Sequence, residues 1–468
     1  MPGSKPKPRA PRPHTLREVK TVITMRQAQG GYLERFAQFE NGAAGNGPEW
    51  LRSVRRNGIA RFSELGFPTL HDEDWRFTNV APIAQISFQL ALDGRAEVAP
   101  QALEPFRFSG PACSQLVFVN GRYAPELSWL QPLPEGVQIG SLAQTITSDR
   151  GLLEQHLAQY ADYQNDAFIA LNTAFIEDGA FVRLPRGTVL QEPVYLLYVS
   201  TATAAPAITH PRNLILMGDE SQATIVEDYV SLNGGVYFSN VVTEAVVGEN
   251  SVLSHYRVEQ ESPQAFHVST LRVQQGRSSH VAAHAVLLGG ALVRNNVHPV
   301  MVGEGGDCLI NGLFLATGRQ HTDNYMKVEH ASPHCDSRQF YNGILDGQAR
   351  GVFHGRIIVH KGAQKTDAKQ TNRNLLLSDE AQIDTKPQLE IHANDVKCTH
   401  GATIGQIDED ALFYLRARGL AETSARNLLV SAFAGEVLQR MKVEPIRKHL
   451  EALVTQWLSQ GKRLEEAR

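Results

Sequence analysis

From about residue 115 to residue 405 the chain keeps one habit, in which short β-branched, apolar stretches alternate with sharp polar corners and hardly any helical interruption. Segments such as NLILMGDESQATIVEDYVS, VYFSNVVTEAVVGENSVLSHYRVEQ and FHVSTLRVQQGRSSHVAAHAVLL carry the period of two that places successive side chains on opposite faces of a strand. So many strands in series leave few solutions: a large sandwich, a barrel or a coiled solenoid. Sandwiches favour two-residue hairpins, and Asn120-Gly121 is one of few such signals here. Corners at Gly248-Glu249-Asn250, Gln275-Gly276, Gly303 to Gly306, Asp346-Gly347, Lys361-Gly362 and Asn394-Asp395 suit stacked coils, whose polar corner residues satisfy bent backbone. The hexapeptide repeat of left-handed coils is absent, so the predicted core is a right-handed parallel β-helix over residues 115–406.

The flanks have a different period. Residues 18–114 read as a mainly helical N-terminal region, broken at NGAAGNGPE and Pro68. Within it HDEDWRFTNV, residues 71–80, reads as a helix start or loop pinned by two buried aromatics, Trp75 and Phe77. Residues 407–468 form a predicted C-terminal helical domain. Asp408 caps ALFYLRAR, which Gly419 closes, Thr423 or Ser424 caps a second helix, and Pro445 opens a third. The third carries a stripe of Ile446, Leu450, Leu453, Val454, Trp457 and Leu458, which must be covered by its helical neighbours, by the open end of the coil or by a partner. This domain is expected to be removable, by deleting residues 409–468, without unfolding the core.

Composition excludes several classes. With 468 residues, 42% hydrophobic, 20% charged and a net charge of -4, the chain has no electrostatic footprint for nucleic acid or an anionic membrane, and no apolar run long enough to span a bilayer. The start, residues 1–17, is basic, proline-rich and expected to be a disordered tail rather than a signal or transit peptide. Cys113, Cys308, Cys335 and Cys398 are too scattered for a disulfide framework, which points to the reducing cytoplasm.

The chemistry-bearing residues are few. Twelve of the 17 histidines lie between His255 and His400, but one imidazole, such as His321, His330 or His354, does not make a site. In KCTHG, Cys398 and His400 are two residues apart in an extended stretch and so share a face. They are either a buried thiol beside a backbone-satisfied histidine, or half of a metal site whose other ligands come from elsewhere, another chain included. His392 shares their parity only if Asn394-Asp395 leaves the strand unbroken. There is no GxxxxGK[ST], no GxGxxG opening a strand-helix unit and no GxSxG. Asp379, Asp384 and Asp395 could furnish paired carboxylates, as in carbohydrate-active β-helix enzymes, yet residues 370–405 contain no Phe, Tyr or Trp to line a sugar cleft. A stand-alone metal-storage or structural protein is a second alternative.

HDEDWRFTN, FVNGRYAPEL and NRNLLLSDEAQIDTKPQLEIHANDVKCTHGATIGQIDEDALFYLRARGL together make the chain resemble the SufD family, subunits of the SUF iron–sulfur cluster assembly machine, from about residue 20 to the end. The resemblance implies a non-catalytic scaffold that pairs with its paralogue SufB through the ends of their β-helices and with the ATPase SufC through its C-terminal helices. It also admits a homodimer when the chain is isolated. It further implies a transient iron–sulfur cluster, or iron, shared with SufB and none held tightly by the isolated chain. ATP hydrolysis then belongs to SufC, and sulfur is delivered to SufB. SufB-like chains carry the expected sulfur-accepting cysteine where this sequence has Ile391, so that thiol lies across the interface. Matching by motif places His400 as a cluster ligand and Cys398 as an interface or accessory metal contact at the junction.

Overall fold

The computed structural model describes residues 16–465, apart from 43–44, 46, 92–97, 107–112 and 202–204. The basic tail assigned to residues 1–17 therefore lies outside the described residues up to 15, and a helix runs from Leu16 to Asn41. The chain is mainly β, built on a parallel β-solenoid of about seven turns with helices on both flanks.

From Arg212–Met217 onward, successive strands alternate between two sheets. Each strand therefore hydrogen-bonds in parallel to the strand two further along the chain. In the second sheet His280 pairs with Asp307, Asp307 with Asp336, Asp336 with Asp367 and Asp367 with Lys397, one turn of about thirty residues each. Inward side chains fill the space between the sheets, in rows such as Leu253, Val281, Cys308, Ser337, Ala368.

One corner shows how the backbone turns. Glu220, Asn250, Ser278, Gly305, His334 and Lys365 all have positive φ, between 49° and 72°. Each belongs to one turn and donates its N–H to the corner carbonyl of the next: Asn250 to Arg277 at 2.9 Å, Gly305 to Pro333 at 3.1 Å, His334 to Gln364 at 2.9 Å. The rung bonds thus hold ordinary residues in a conformation that costs them roughly 1–2 kcal/mol.

The region read as strands from 115 onward also holds three short helices, Leu142–Ser148, Arg150–His156 and Ala167–Ala174. They lie on the outer face of the first sheet, where a buried ion pair fastens them. Arg212 Nη2 meets Glu244 at 2.7 Å, both fully buried, and Glu244 accepts the N–H groups of Ala158, Tyr160 and Ala161 at 2.8–2.9 Å. Phe168, Ala170, Leu171 and Ala174 pack with Tyr32, Phe62 and Trp75 in the same layer. The HDEDW stretch is a loop with one helical turn, and it straps this outer face. Trp75 is buried under the Arg294 guanidinium, 4.3 Å from the ring centre, whereas Phe77 is only half-buried, contrary to the expectation for it. Thr78 meets His321 at 2.9 Å, and Glu73 reaches Lys386 at 2.9 Å.

The C-terminal helices, Glu409–Ala417, Glu422–Leu438 and Glu444–Glu465, do not close the end of the coil. The last two pack along the outer face of the second sheet, placing Val430, Val437, Ile446, Leu450 and Val454 against Tyr256, Val258, Val286, Leu313 and Ile344. Asn311 and Asn342 donate to Val437 O and Phe433 O at 3.1 and 2.9 Å. Deleting residues 409–468 would uncover that apolar sheet face. Asp408 caps the first helix as predicted, accepting from Asp410 N and Ala411 N. The second starts earlier than predicted, with Ala421 as its cap residue and Glu422 in the first turn paired to Arg416 and Arg426, a placement the helix dipole favours.

The two ends of the solenoid differ. At the N-terminal end each sheet finishes in an antiparallel strand, Gln138–Ser141 on one and Arg122–Tyr123 on the other. At the C-terminal end Gln382–Ile391 and Lys397–Gly405 are the last strands of their sheets, and among the described residues no further strand pairs with them.

The corner geometry is testable. Gly305→Ala should lower stability by about 1–2 kcal/mol in chemical denaturation, because a Cβ there meets only Ser278 Oγ at 3.5 Å and the loss is left-handed strain. Gly362→Ala, where φ is not positive and a Cβ would enter open space, should cost nothing.

Candidate functional site

The uncapped C-terminal end is a mouth with two walls. Register fixes which residues face it. Inward positions Phe353, Ile357 and Val359 pair with Thr385, Leu389 and Ile391 on one wall. On the other wall Ala368, Gln370, Asn372 and Asn374 pair with Cys398, His400, Ala402 and Ile404. Every residue of the strand Lys397–Gly405 is exposed or half-exposed, although half of them occupy what is core one turn below. Ile391 is 40% and Ile404 51% exposed, so the mouth has an apolar rim beside unpaired backbone N–H and C=O groups.

Cys398 and His400 do share a face, as their spacing predicts. Cys398 continues the row of Cys308, Ser337 and Ala368 and packs its half-buried side chain against the solenoid core. Burial holds its thiol above the usual cysteine range, with the Asp367 carboxylate adding to the rise and a backbone hydrogen bond at Ala368 opposing it. His400 continues the row of His255, Ala283, Ile310, Gln339 and Gln370 and is exposed. His392 does not join them. The strand ends at Ile391, and His392 opens the corner, donating its N–H to Val359 O at 2.9 Å. Among the described residues no group of three or more His, Cys, Asp or Glu side chains is arranged to hold a metal ion. Cys398 and His400 therefore present at most part of a coordination shell.

The other chemical candidates are engaged elsewhere. His321 bonds Thr78 at 2.9 Å, His330 bonds Ser337 at 2.8 Å, and His354 bonds Gln388 at 2.7 Å. Burial lowers His330 to about 4, which keeps its ring neutral in the core. Asp384 is paired to Arg350 at 2.7 Å on the outer face and Asp395 to Lys365, while Asp379 lies in an exposed turn at the far end of the intervening strand from Asp395. They form no paired carboxylates in a cleft. Reading residues one by one missed that the mouth is built jointly by both terminal strands. The signal was present in Ala402 and Ile404, which continue the parity of Cys398 and His400 to the end of the strand.

The solenoid thus has one finished end and one bare end, and the bare end presents unpaired strand edges together with a thiol and an imidazole. The chain matches two family models, the SufBD protein N-terminal region over residues 26–196 and the SufBD core domain of SUF system FeS cluster assembly over residues 198–433. It is 36% identical to an iron-sulfur cluster assembly SufBD family protein of Synechocystis sp., covering 86% of this chain and 90% of that one. It is 31% identical to the iron-sulfur cluster assembly protein SufD of Escherichia coli, over 86% of this chain and 92% of that one, and 24% identical to SufD of Bacillus subtilis, over 87% and 94%. The chain belongs to the SufBD family of iron–sulfur cluster assembly proteins, and within it is of the SufD type. Among the described residues no helix is long and apolar enough to cross a membrane, and all four cysteines are free.

Cysteine reactivity checks the placement. Iodoacetamide should modify Cys398 before the buried Cys113, Cys308 and Cys335, and its rate should keep rising with pH beyond the inflection of free cysteine, because the folded-state thiol is raised and deprotonates later. Cys398→Ser should remove this first-reacting thiol.

Proposed function

We propose that the chain is a non-catalytic scaffold subunit for iron–sulfur cluster assembly whose bare C-terminal turn pairs with the corresponding end of a SufB-type paralogue. The observation that carries this reading is the asymmetry of the solenoid, which is capped at one end and left with two unpaired parallel edges and an isoleucine rim at the other. An edge of that kind is a template for strand addition. The nascent cluster, or the iron that enters it, is cargo held across this junction. His400 is the ligand from this chain, and Cys398 is an accessory contact whose raised thiol must lose its proton before it can coordinate. The sulfur-accepting cysteine is the partner's, since Ile391 occupies the matching position here and can contribute only apolar contact.

The ATPase partner, SufC by analogy with the family, docks on the C-terminal helices. Phe413 and Tyr414 on the helix Glu409–Ala417 are 73% and 58% exposed, and Leu420 and Leu428, close by in the sequence, are exposed apolar side chains as well. The strand bearing His400 runs into this helix with only Gln406, Ile407 and Asp408 between them, so displacement of the helix on ATP binding would act on the edge of the mouth. The complex works in the cytoplasm, where free thiols persist.

His400→Ala should abolish cluster accumulation on the assembled complex while leaving subunit pairing intact; wild-type accumulation would refute the ligand role. Ile404→Asp should instead weaken pairing with the SufB-type partner by at least about tenfold in titration calorimetry, by placing a charge in a desolvated rim. Phe413→Asp with Tyr414→Asp should release the ATPase but not the paralogue in co-purification, and retention of the ATPase would move its docking surface elsewhere.

A further inference from the structure

The inward row that ends in His400 is polar just beneath it. Gln339, Gln370 and His400 are register partners on three successive strands, about 4.8 Å apart. Gln370 is 2% exposed. Its Nε2 donates to Gln339 Oε1 at 3.0 Å, and its amide crosses the interior to lie over Gly355, where an added Cβ would sit 1.4 Å from Nε2. Gly355 thus clears the space that this amide fills. The remaining polar atom, Gln370 Oε1, is buried and has no hydrogen-bond partner. A buried, unsatisfied acceptor costs about 1–3 kcal/mol, so a donor supplied from the strand above would be stabilising. The next residue in its row is His400, whose ring leaves the strand on the same face and makes no hydrogen bond to another described residue.

We propose that Gln370 is a positioning residue for His400: its Oε1 accepts the imidazole Nδ1–H from the strand above and leaves the Nε2 lone pair directed into the mouth. Nε2 is the ring nitrogen farther from the backbone and so the one that reaches cargo shared with a second chain. A neutral imidazole in water favours the opposite tautomer, with the proton on Nε2, which cannot ligate through that atom. Fixing the tautomer from behind is what a metal-binding histidine requires. The benefit to ligation rests on the reading of His400 as a ligand, but the hydrogen bond itself does not.

The test uses the full chain carrying 15N-labelled histidine, with the His400 ring resonances assigned by their loss in His400→Ala. At about pH 8.5, above the usual imidazole range, long-range 1H–15N correlation should show the Nδ1–H form for His400. Gln370→Met should convert it to the Nε2–H form, and Gln370→Glu, which keeps an acceptor at the same reach, should restore it. Gln339→Met removes the neighbour of Gln370 but not the acceptor and should leave the tautomer unchanged. A His400 that is Nε2–H in the wild type, or a tautomer that follows Gln339→Met as strongly as Gln370→Met, overturns the proposal; thermal melting confirms that each variant is folded. In the assembled complex, Gln370→Met should lower affinity for iron about tenfold. If His400→Ala leaves cluster loading intact while the tautomer behaves as described, the ligand reading fails and the role of Gln370 in orienting the ring stands.

Discussion

Every strand of a parallel solenoid completes its backbone hydrogen bonds with the turns before and after it. That single condition fixes the register of the whole core, because a slip of one residue would turn each inward row to solvent. It also creates a problem that only the ends can have. The last turn must expose its N–H and C=O groups, cover them or share them. Here the N-terminal end covers them with two short antiparallel strands, and the C-terminal end does not. Because both ends face the same cost, the difference between them is informative about function rather than about folding.

The same stacking explains why so many polar side chains are tolerated inside. Glu227 meets Arg257 at 3.1 Å and His255 at 2.9 Å between the sheets, and burial, which would raise its carboxyl, is outweighed by these cationic partners, so it stays well below the usual carboxylate range. Arg257 also donates to Ser269 and Asn295 at 3.0 and 3.1 Å, and Asn295 reaches Tyr341 OH at 3.3 Å. Such groups gain little stability over an aliphatic filling, since desolvation offsets most of the attraction. What they do supply is discrimination: a mispaired turn would strand Glu227 or Arg257 without its partner. The histidines crowded between His255 and His400 fall largely into this structural role. His334 holds a corner, His321 anchors the strap at Thr78, and His330 is a neutral core group.

The period of two made the strands legible, and the polar corners identified them as coils rather than hairpins. No fixed repeat showed in the sequence because the turns differ in length: Phe266 pairs with Leu292, whereas Arg350 pairs with Gln382. The variation is absorbed at the corners, so the rungs align while the sequence does not. The short helices between Leu142 and Ala174 were illegible for a different reason. Ala167–Ala174 is buried on all sides and lacks the polar face that would mark a helix, and it is held by Asn172, which donates to Pro211 O and Asn240 O and accepts from Arg212, residues distant in the sequence. The stripe from Ile446 to Leu458 was plain in the sequence, but its partner was not, since the outer face of a sheet is assembled from alternate residues of many distant strands. Cys398 and His400 were recognisable as a pair from their spacing alone. Their exposure was not, because it follows from where the stack stops.

A thiol and an imidazole placed one turn deeper, beside Ala368 and Gln370, would have been sealed in the core. A ligand set closed within one chain would also hold its metal tightly, since nothing short of unfolding would open it. Under the proposed function, the same two residues at the terminal turn stay an incomplete ligand set until a neighbouring strand pair arrives, and become incomplete again when it withdraws. Under the proposed reading, the chain therefore separates two tasks by depth. The interior, through Gln370 and the polar rows beneath it, orients the ring, while the seam supplies the remaining ligands and the means of release. A scaffold that must give its product away needs its coordination shell divided in this manner, and in a parallel coil the uncapped last rung is the one place where the backbone itself calls for a partner.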